Sequence, residues 1–197
     1  MTEAVIVATS RSPIGRAAKG SLVSIRPDDL SAQIVRALMA KVPQVGASDV
    51  EDLIMGCGQP AGEAGFNVAR VTAVLAGLDN CPGVTVNRYC SSSLQTIRMA
   101  AHAIKAGEGD CFIAAGVETV SRYASGASDT APNQIFSEPG SRTAGRAGGG
   151  QGTWLYGWQS DCSQVSQNRE DCCIRCCDYN LDSILIKSII CSTTRCV

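Results

Sequence analysis

The sequence of 197 residues lacks an excess of either charge, because 17 basic residues stand against 18 acidic ones. This balance gives no electrostatic basis for binding nucleic acid or an anionic membrane. No apolar run approaches the roughly 20 residues that a membrane span requires. The first residues, Met1-Thr2-Glu3, show no basic cluster of the kind that opens a signal or transit peptide. We therefore expect a cytoplasmic protein that binds neither nucleic acid nor a membrane.

Alanine is absent after Ala147 and proline is absent beyond Gly150, whereas seven of the 11 cysteines lie beyond Gly150. One evolved domain rarely changes composition so abruptly. We predict a domain over residues 1–147 and an irregular, cysteine-rich tail over residues 148–197. A shifted reading frame, an unspliced segment or a rearranged gene would produce such a tail, and we expect it to fold into nothing specific.

The tail contains one Cys-x-x-Cys motif, formed by Cys173 and Cys176, with Cys162 as a conceivable third ligand. Zinc sites usually need two such pairs at a defined separation, or histidines. The pattern therefore predicts no metal site. A cysteine-rich metal or redox protein is the least favoured of the three function classes that we consider.

Apolar runs alternate with helical patterns in residues 1–147. Ala4–Ala8 and Cys111–Ala115 are short apolar runs, typical of strands covered on both faces, and strands are also predicted at Val50–Gly56 and Val84–Val86. Apolar residues recur at helical spacing in segments that begin at Pro27, near Phe66 and near Ser91. This alternation predicts an α/β fold, with a mostly parallel sheet covered by helices.

Cys90 stands where the third predicted strand gives way to a helix, in Asn87-Arg88-Tyr89-Cys90-Ser91-Ser92-Ser93. The first turn of a helix presents unpaired backbone N–H groups and the positive end of the helix dipole. A thiol in that setting is a nucleophile near neutral pH, and the N–H groups can stabilise the oxyanion formed when it attacks an acyl carbonyl. Position alone equally allows a small buried cysteine whose neighbouring serines cap the helix.

Several motifs occur in a defined order along residues 1–147. They are Val5–Ala8 with Arg11-Ser12-Pro13-Ile14-Gly15, Ile54-Met55-Gly56-Cys57-Gly58, Gly65-Phe66-Asn67-Val68-Ala69-Arg70, Val86-Asn87-Arg88-Tyr89-Cys90-Ser91-Ser92-Ser93, and Ala115-Gly116-Val117-Glu118-Thr119-Val120-Ser121-Arg122. In this order and spacing they resemble the N-terminal half of the thiolases, the family of acetyl-CoA acetyltransferase and 3-ketoacyl-CoA thiolase. Ser93, Ala115 and Val120 depart from residues that are usual in the family.

The resemblance implies that Cys90 is the acyl-accepting nucleophile. In thiolases this cysteine takes an acyl group from acyl-CoA and passes it to CoA or to an acetyl-CoA carbanion. The two directions cleave 3-ketoacyl-CoA, as in fatty-acid β-oxidation, or condense two acetyl units. A histidine in a Gly-His-Pro motif and a second cysteine in a Cys-x-Gly motif move the protons, and neither motif follows Cys90 in this sequence.

Other polar residues have simpler interpretations. His102, the single histidine, lies about three turns along the helix that follows Cys90, too far to reach it at ~1.5 Å per residue. We interpret Glu118 as a hydrogen-bond acceptor that fixes its loop. Arg16, Lys19 and Arg26 are interpreted as solvated residues rather than CoA ligands.

The sequence thus predicts an acyl-CoA acyltransferase of the thiolase family that is catalytically incomplete as written. Acyl-CoA and CoA are its expected substrates, with no bound cofactor, unassigned CoA-binding residues and a homo-oligomeric state. The alternative is a non-catalytic thiolase-fold module for interaction or dimerisation.

Overall fold

The computed structural model describes residues 2–122, 181–183 and 187–193 of the chain. The strands in these ranges are β1 Ala4–Ser10, β2 Gly15–Arg16, β3 Asp52–Gly56, β4 Gly83–Val86, β5 Cys111–Gly116, β6 Glu118–Thr119, β7 Leu181–Ser183 and β8 Lys187–Ser192. The α-helices are α1 Pro27–Met39, α2 Val68–Leu75 and α3 Ser92–Ala106.

The larger sheet has five strands in the order β1-β8-β5-β3-β4. β3 runs parallel to β4 and to β5, and β8 runs antiparallel to β1 and to β5. Four strands therefore share one direction, and the α/β fold with a mostly parallel sheet is confirmed. A smaller antiparallel sheet has the order β2-β7-β6.

Helices cover both faces of the larger sheet, and side chains alternate between these faces along each strand. Leu53 and Ile113 pack in one apolar cluster with residues of α1 and α2. Ile54 and Phe112 pack in the other cluster with residues of α3. This two-sided burial explains why the strands are continuous apolar runs in the sequence.

The helices begin close to where the sequence places them. α1 starts at Pro27 with two aspartates in its first turn, where acidic side chains favour the positive end of the helix dipole. α2 starts at Val68, and Phe66, predicted to lie on its apolar face, is instead 80% exposed before the helix. In the described ranges no helix is both long enough and apolar enough to cross a bilayer.

The tail contributes two of the described strands, β7 and β8. β8 lies between β1 and β5, and its residues Ile189, Ile190 and Cys191 are each at most 2% exposed. The prediction that the tail folds into nothing specific is therefore wrong for these strands, because an apolar strand there pairs with backbone groups on both sides. The predicted boundary between residues 147 and 148, and the Cys173–Cys176 motif with Cys162, lie outside the described residues.

Candidate active site

Cys90 lies in a short 3-10 helix, Tyr89–Ser91, which connects the end of β4 to the start of α3. The residue is exposed, so the alternative of a buried structural cysteine is wrong. Because α3 begins at Ser92, the thiol stands immediately before the first helical turn, as the sequence predicts.

The backbone of this turn is held in an uncommon conformation. Tyr89 has φ of 48°, in the left-handed region that residues other than glycine rarely adopt. Its N–H donates to Asn87 Oδ1 at 2.9 Å, and its carbonyl oxygen accepts from the buried Ser92 hydroxyl at 2.6 Å. The Ser92 Oγ in turn accepts from the Arg88 N–H at 2.8 Å. These bonds fix the direction in which the chain enters and leaves Cys90.

The N-terminus of α3 packs against the ends of two strands through glycine. A Cβ atom at Gly56, the last residue of β3, would stand 2.5 Å from the Ser92 carbonyl carbon and 2.7 Å from the Ser93 nitrogen. A Cβ atom at Gly116, at the end of β5, would overlap the Ser93 hydroxyl. The helix can therefore approach the sheet this closely only because both strands end in glycine.

A second loop lies against the Cys90 turn and is fastened by Glu118. The carboxylate oxygen Oε1 accepts from the N–H groups of Gly58 and Gln59 at 2.8 and 3.1 Å, and from the Cys57 thiol at 3.3 Å. A Cβ atom at Gly58 would stand 3.3 Å from both Glu118 Oε2 and the Tyr89 carbonyl carbon. The interpretation of Glu118 as an acceptor that fixes its loop is confirmed.

Two other cysteines near the sheet are kept protonated. Burial, reinforced by the neighbouring Glu118 carboxylate, raises the pKa of the Cys57 thiol far above its ordinary value. Burial, followed by the effect of Asp52, raises the pKa of Cys81 to about 11. Cys81-Pro82-Gly83 matches the Cys-x-Gly pattern, but Cys81 is buried, at 1% exposed. Cys81 also precedes β4, whereas Cys90 follows the opposite end of that strand.

The structure does not bring His102 to Cys90. His102 is exposed on α3, ten residues and therefore about 15 Å of helix after Ser92. This agrees with the expectation that His102 lies too far along the helix to reach Cys90.

Sequence reasoning missed the residues that shape the turn rather than the nucleophile itself. The side chain of Asn87 bonds to the N–H two residues on, which is an Asx turn, and an asparagine at the end of a strand is a recognisable signal for it. The left-handed Tyr89 has no such signal, because tyrosine is not a residue type that favours this conformation.

The described residues include no group of three or more His, Cys, Asp or Glu side chains arranged to hold a metal ion. Among the basic residues considered as CoA ligands, Arg26 is engaged in ion pairs with Asp28 at 2.7 Å and Glu63 at 2.8 Å. Arg16 and Lys19 are exposed. No residue for CoA is assigned on this basis.

The fold and the turn define a class: α/β domains that present a cysteine between a parallel strand and a helix. The family model described as "Thiolase, N-terminal domain" matches residues 4–147 of the chain. The solved structure of Acat5 thiolase from Ascaris suum in complex with coenzyme A superposes with a TM-score of 0.57 at 29% identity, covering 61% of this chain and 31% of that one.

Curated relatives carry the same family name. A 3-ketoacyl-CoA thiolase of Shewanella frigidimarina is 47% identical over 60% of this chain and 31% of its own length. A beta-ketoadipyl-CoA thiolase of Acinetobacter baylyi is 49% identical over 66% of this chain and 33% of its own length. The chain belongs to the thiolase family, and its matches span about a third of the length of these relatives.

Proposed function

We propose that the chain acts as the acyl-accepting part of a thiolase-type acyl-CoA acyltransferase, with Cys90 as the nucleophile. The observation that carries the proposal is an exposed thiol in a rigid turn directly before the N-terminus of α3. The names of the relatives support a CoA thioester of a 3-keto acid as the substrate class. Fatty-acid β-oxidation in the cytoplasm is the setting we propose.

The reaction is a thioester exchange. The Cys90 thiolate adds to the carbonyl carbon of acyl-CoA, the bond from that carbon to the CoA sulfur breaks, and the thiol proton ends on the released CoA. The backbone N–H groups at the start of α3 and the helix dipole stabilise the negative charge on the carbonyl oxygen during the addition. Ser91, the N-cap residue, makes no side-chain capping bond within the described structure.

The second half of a thiolase cycle needs side chains near the nucleophile that accept and donate protons. Among the described residues, the histidine and two of the buried cysteines are not suited to this role. His102 is remote on α3. Cys57 and Cys81 are buried thiols with raised pKa values. We therefore propose that the 197-residue chain alone stops at the Cys90 thioester.

Mass spectrometry of trypsin fragments tests this proposal. Cys90 is the only cysteine of fragment 89–98, so an acetyl adduct on that fragment after incubation with acetyl-CoA identifies the nucleophile. We expect one adduct per chain with release of one CoA, loss of the adduct in Cys90→Ser, and its retention in the matched variant Cys81→Ser. An adduct that survives Cys90→Ser would refute the assignment.

A second candidate function, a non-catalytic module that pairs with another thiolase-fold chain, is supported by exposed apolar side chains. Phe66 is 80% and Leu94 69% exposed, and Val84 is exposed on β4, an edge strand of the larger sheet. Edge strands and apolar patches are common contact surfaces between chains. Mass spectrometry of the sedimented samples discriminates the two, since the module forms the oligomer without modification of Cys90, whereas the proposed acyltransferase gives the adduct. We expect a homo-oligomer in either case.

A further inference from the structure

Cys111 and Cys191 form a pair of thiols inside the larger sheet, apart from the Cys90 turn. They are register partners on the neighbouring antiparallel strands β5 and β8. Their sulfur atoms lie 3.3 Å apart, and each residue is 1% exposed. The proposed acyl transfer uses neither of them.

The hydrogen bonds show which kind of cross-strand pair this is. The Cys111 N–H donates to Glu51 Oε2 at 2.9 Å, and the Cys111 carbonyl oxygen accepts from the Glu51 N–H at 2.9 Å. Both backbone groups of Cys111 therefore point away from β8. The next pair along the ladder is the bonded one, since the Ser192 N–H donates to the Asp110 carbonyl oxygen at 2.8 Å.

Cys111 and Cys191 are consequently a non-hydrogen-bonded pair. In such pairs the Cα atoms stand about 4.5 Å apart, and the side chains approach more closely than in bonded pairs. A disulfide requires a Cα separation of about 4.4–6.8 Å. The backbone thus already has the spacing of a cross-strand disulfide, and only the two sulfur atoms have to move together.

The other described cysteines have different surroundings. The Cys57 thiol donates to Glu118, the Cys81 thiol donates to the Pro82 carbonyl oxygen, and Cys90 is exposed in its turn. The sheet therefore favours one pairing, Cys111 with Cys191, over the others open to these residues.

We propose that Cys111 and Cys191 are an oxidisable cross-link that fastens β8 to β5 when the protein meets a small-molecule disulfide such as oxidised glutathione. One cysteine thiolate attacks the glutathione disulfide, forming a mixed disulfide and releasing one glutathione thiol. The second cysteine thiolate attacks the protein sulfur of that mixed disulfide, forming the Cys111–Cys191 bond and releasing the second glutathione thiol. Two electrons pass to the glutathione disulfide, and the two thiol protons end on the two glutathione thiols.

The cross-link would join residues 80 positions apart. It restricts the unfolded chain, so it stabilises the folded state, and it prevents β8 from leaving the sheet. Because both thiols are buried, the oxidant reaches them only when β8 opens locally. Oxidation of this pair is therefore slower than modification of the exposed Cys90.

The test treats the full-length reduced chain with oxidised glutathione, quenches samples over time with iodoacetamide and maps the trypsin fragments. Cys111 is the only cysteine of fragment 106–122, and Cys191 is the only cysteine of fragment 188–195. We expect these two fragments to become the predominant cross-linked pair in the folded chain. In concentrated urea the same treatment should distribute Cys111 among many partners. Dithiothreitol should reverse the cross-link.

Two variants and one stability measurement complete the experiment. Cys191→Ser removes the linked fragment, whereas Cys81→Ser, which changes another buried cysteine, leaves its yield unchanged. The urea midpoint of the oxidised wild-type chain rises above that of the reduced chain, and Cys191→Ser shows no such rise. A folded chain in which Cys90 is fully glutathionylated and fragments 106–122 and 188–195 are still unlinked at the last time point would overturn the proposal.

Discussion

At the scale of single residues, the position of Cys90 depends on the absence of a Cβ atom at Gly56, which lets α3 pack closely against the sheet. Gly56 ends β3 directly beneath the first residues of α3, and the nearest atoms to a Cβ there belong to the backbone of Ser92 and Ser93. Backbone cannot rotate aside as the end of a flexible side chain does. Any larger residue at Gly56 therefore has to displace the helix that follows Cys90.

Gly56→Ala should lower the free energy of unfolding by about 2 kcal/mol or more, the usual cost of overpacking a filled site. It should also slow acylation of Cys90, because the displaced helix moves the N–H groups that stabilise the oxyanion. Urea unfolding and the rate of CoA release measure the two effects. Gly46→Ala is the control, since its φ is −77° and the atom nearest to its Cβ is a side-chain oxygen of Asp49 at 3.3 Å rather than backbone. Equal effects in both variants would contradict the close packing of α3.

The residues of the site differ in how far the sequence could predict them. The motif around Cys90 follows from residue type and order, because a strand-to-helix junction needs few long-range contacts to form. The acceptor role of Glu118 follows from its residue type, whereas its donors, 59–61 residues away in the sequence, do not. The conformation of Tyr89 is held by three hydrogen bonds that join five groups at the junction of β4 and α3. Residue type alone does not reveal how these local bonds combine.

At the scale of elements, β8 differs from the other strands of the larger sheet because it comes from the segment with the altered composition. Ile189 and Ile190 point to opposite faces of the sheet and join the two apolar clusters. A single strand from the tail thus contributes to both halves of the core.

Ile189→Ala and Ile190→Ala should each destabilise the chain by about 3 kcal/mol, as large-to-small changes in a filled core do. Val84→Ala, at an exposed position of the edge strand β4, should change stability by less than about 0.5 kcal/mol. Urea unfolding of the three variants against the wild type measures these differences. If all three variants unfold like the wild type, β8 does not occupy the sheet.

The sequence predicts β1, β3, β4, β5 and the three helices because each carries its own local pattern of apolar residues and helix boundaries. β8 carries an apolar pattern too, but such a pattern does not show which strands β8 pairs with. Its neighbours, β1 and β5, are separated from it by long stretches of chain. The composition of the surrounding tail predicts no ordered strand there, and for β8 that prediction is wrong.

At the scale of the whole molecule, a small network of charges joins segments that are distant in sequence. Arg26 at the start of α1 and Arg122 after β6 both pair with Glu63, at 2.8 and 2.5 Å. Arg122 also donates to the Ser24 carbonyl oxygen at 3.3 Å. The hydrogen bonds from Arg122 lower the pKa of the Glu63 carboxyl below its usual value.

This lowered pKa predicts how the stability of the chain depends on pH. The carboxylate stabilises the fold above its unfolded pKa of about 4.3, and that contribution is lost as pH falls through the lower folded pKa. Glu63→Gln should therefore cost about 1 kcal/mol near neutral pH, and the difference from wild type should shrink as pH falls below about 4. Urea unfolding over a series of pH values measures it, with the exposed Glu108→Gln as control. A difference that does not change with pH would show that packing rather than charge is responsible.

The place of β8 in the sheet also sets the order of events during synthesis of the protein. β1 is made before the other described strands, and β8 is the described strand that pairs with it, some 180 residues later along the chain. At about 5–20 residues per second, a ribosome takes roughly 10–35 s to cover that distance. Throughout that interval β1 has no strand of the larger sheet to pair with, and its backbone is open to other nascent chains. Chaperone binding to β1 is therefore most useful to this protein before β8 has been made.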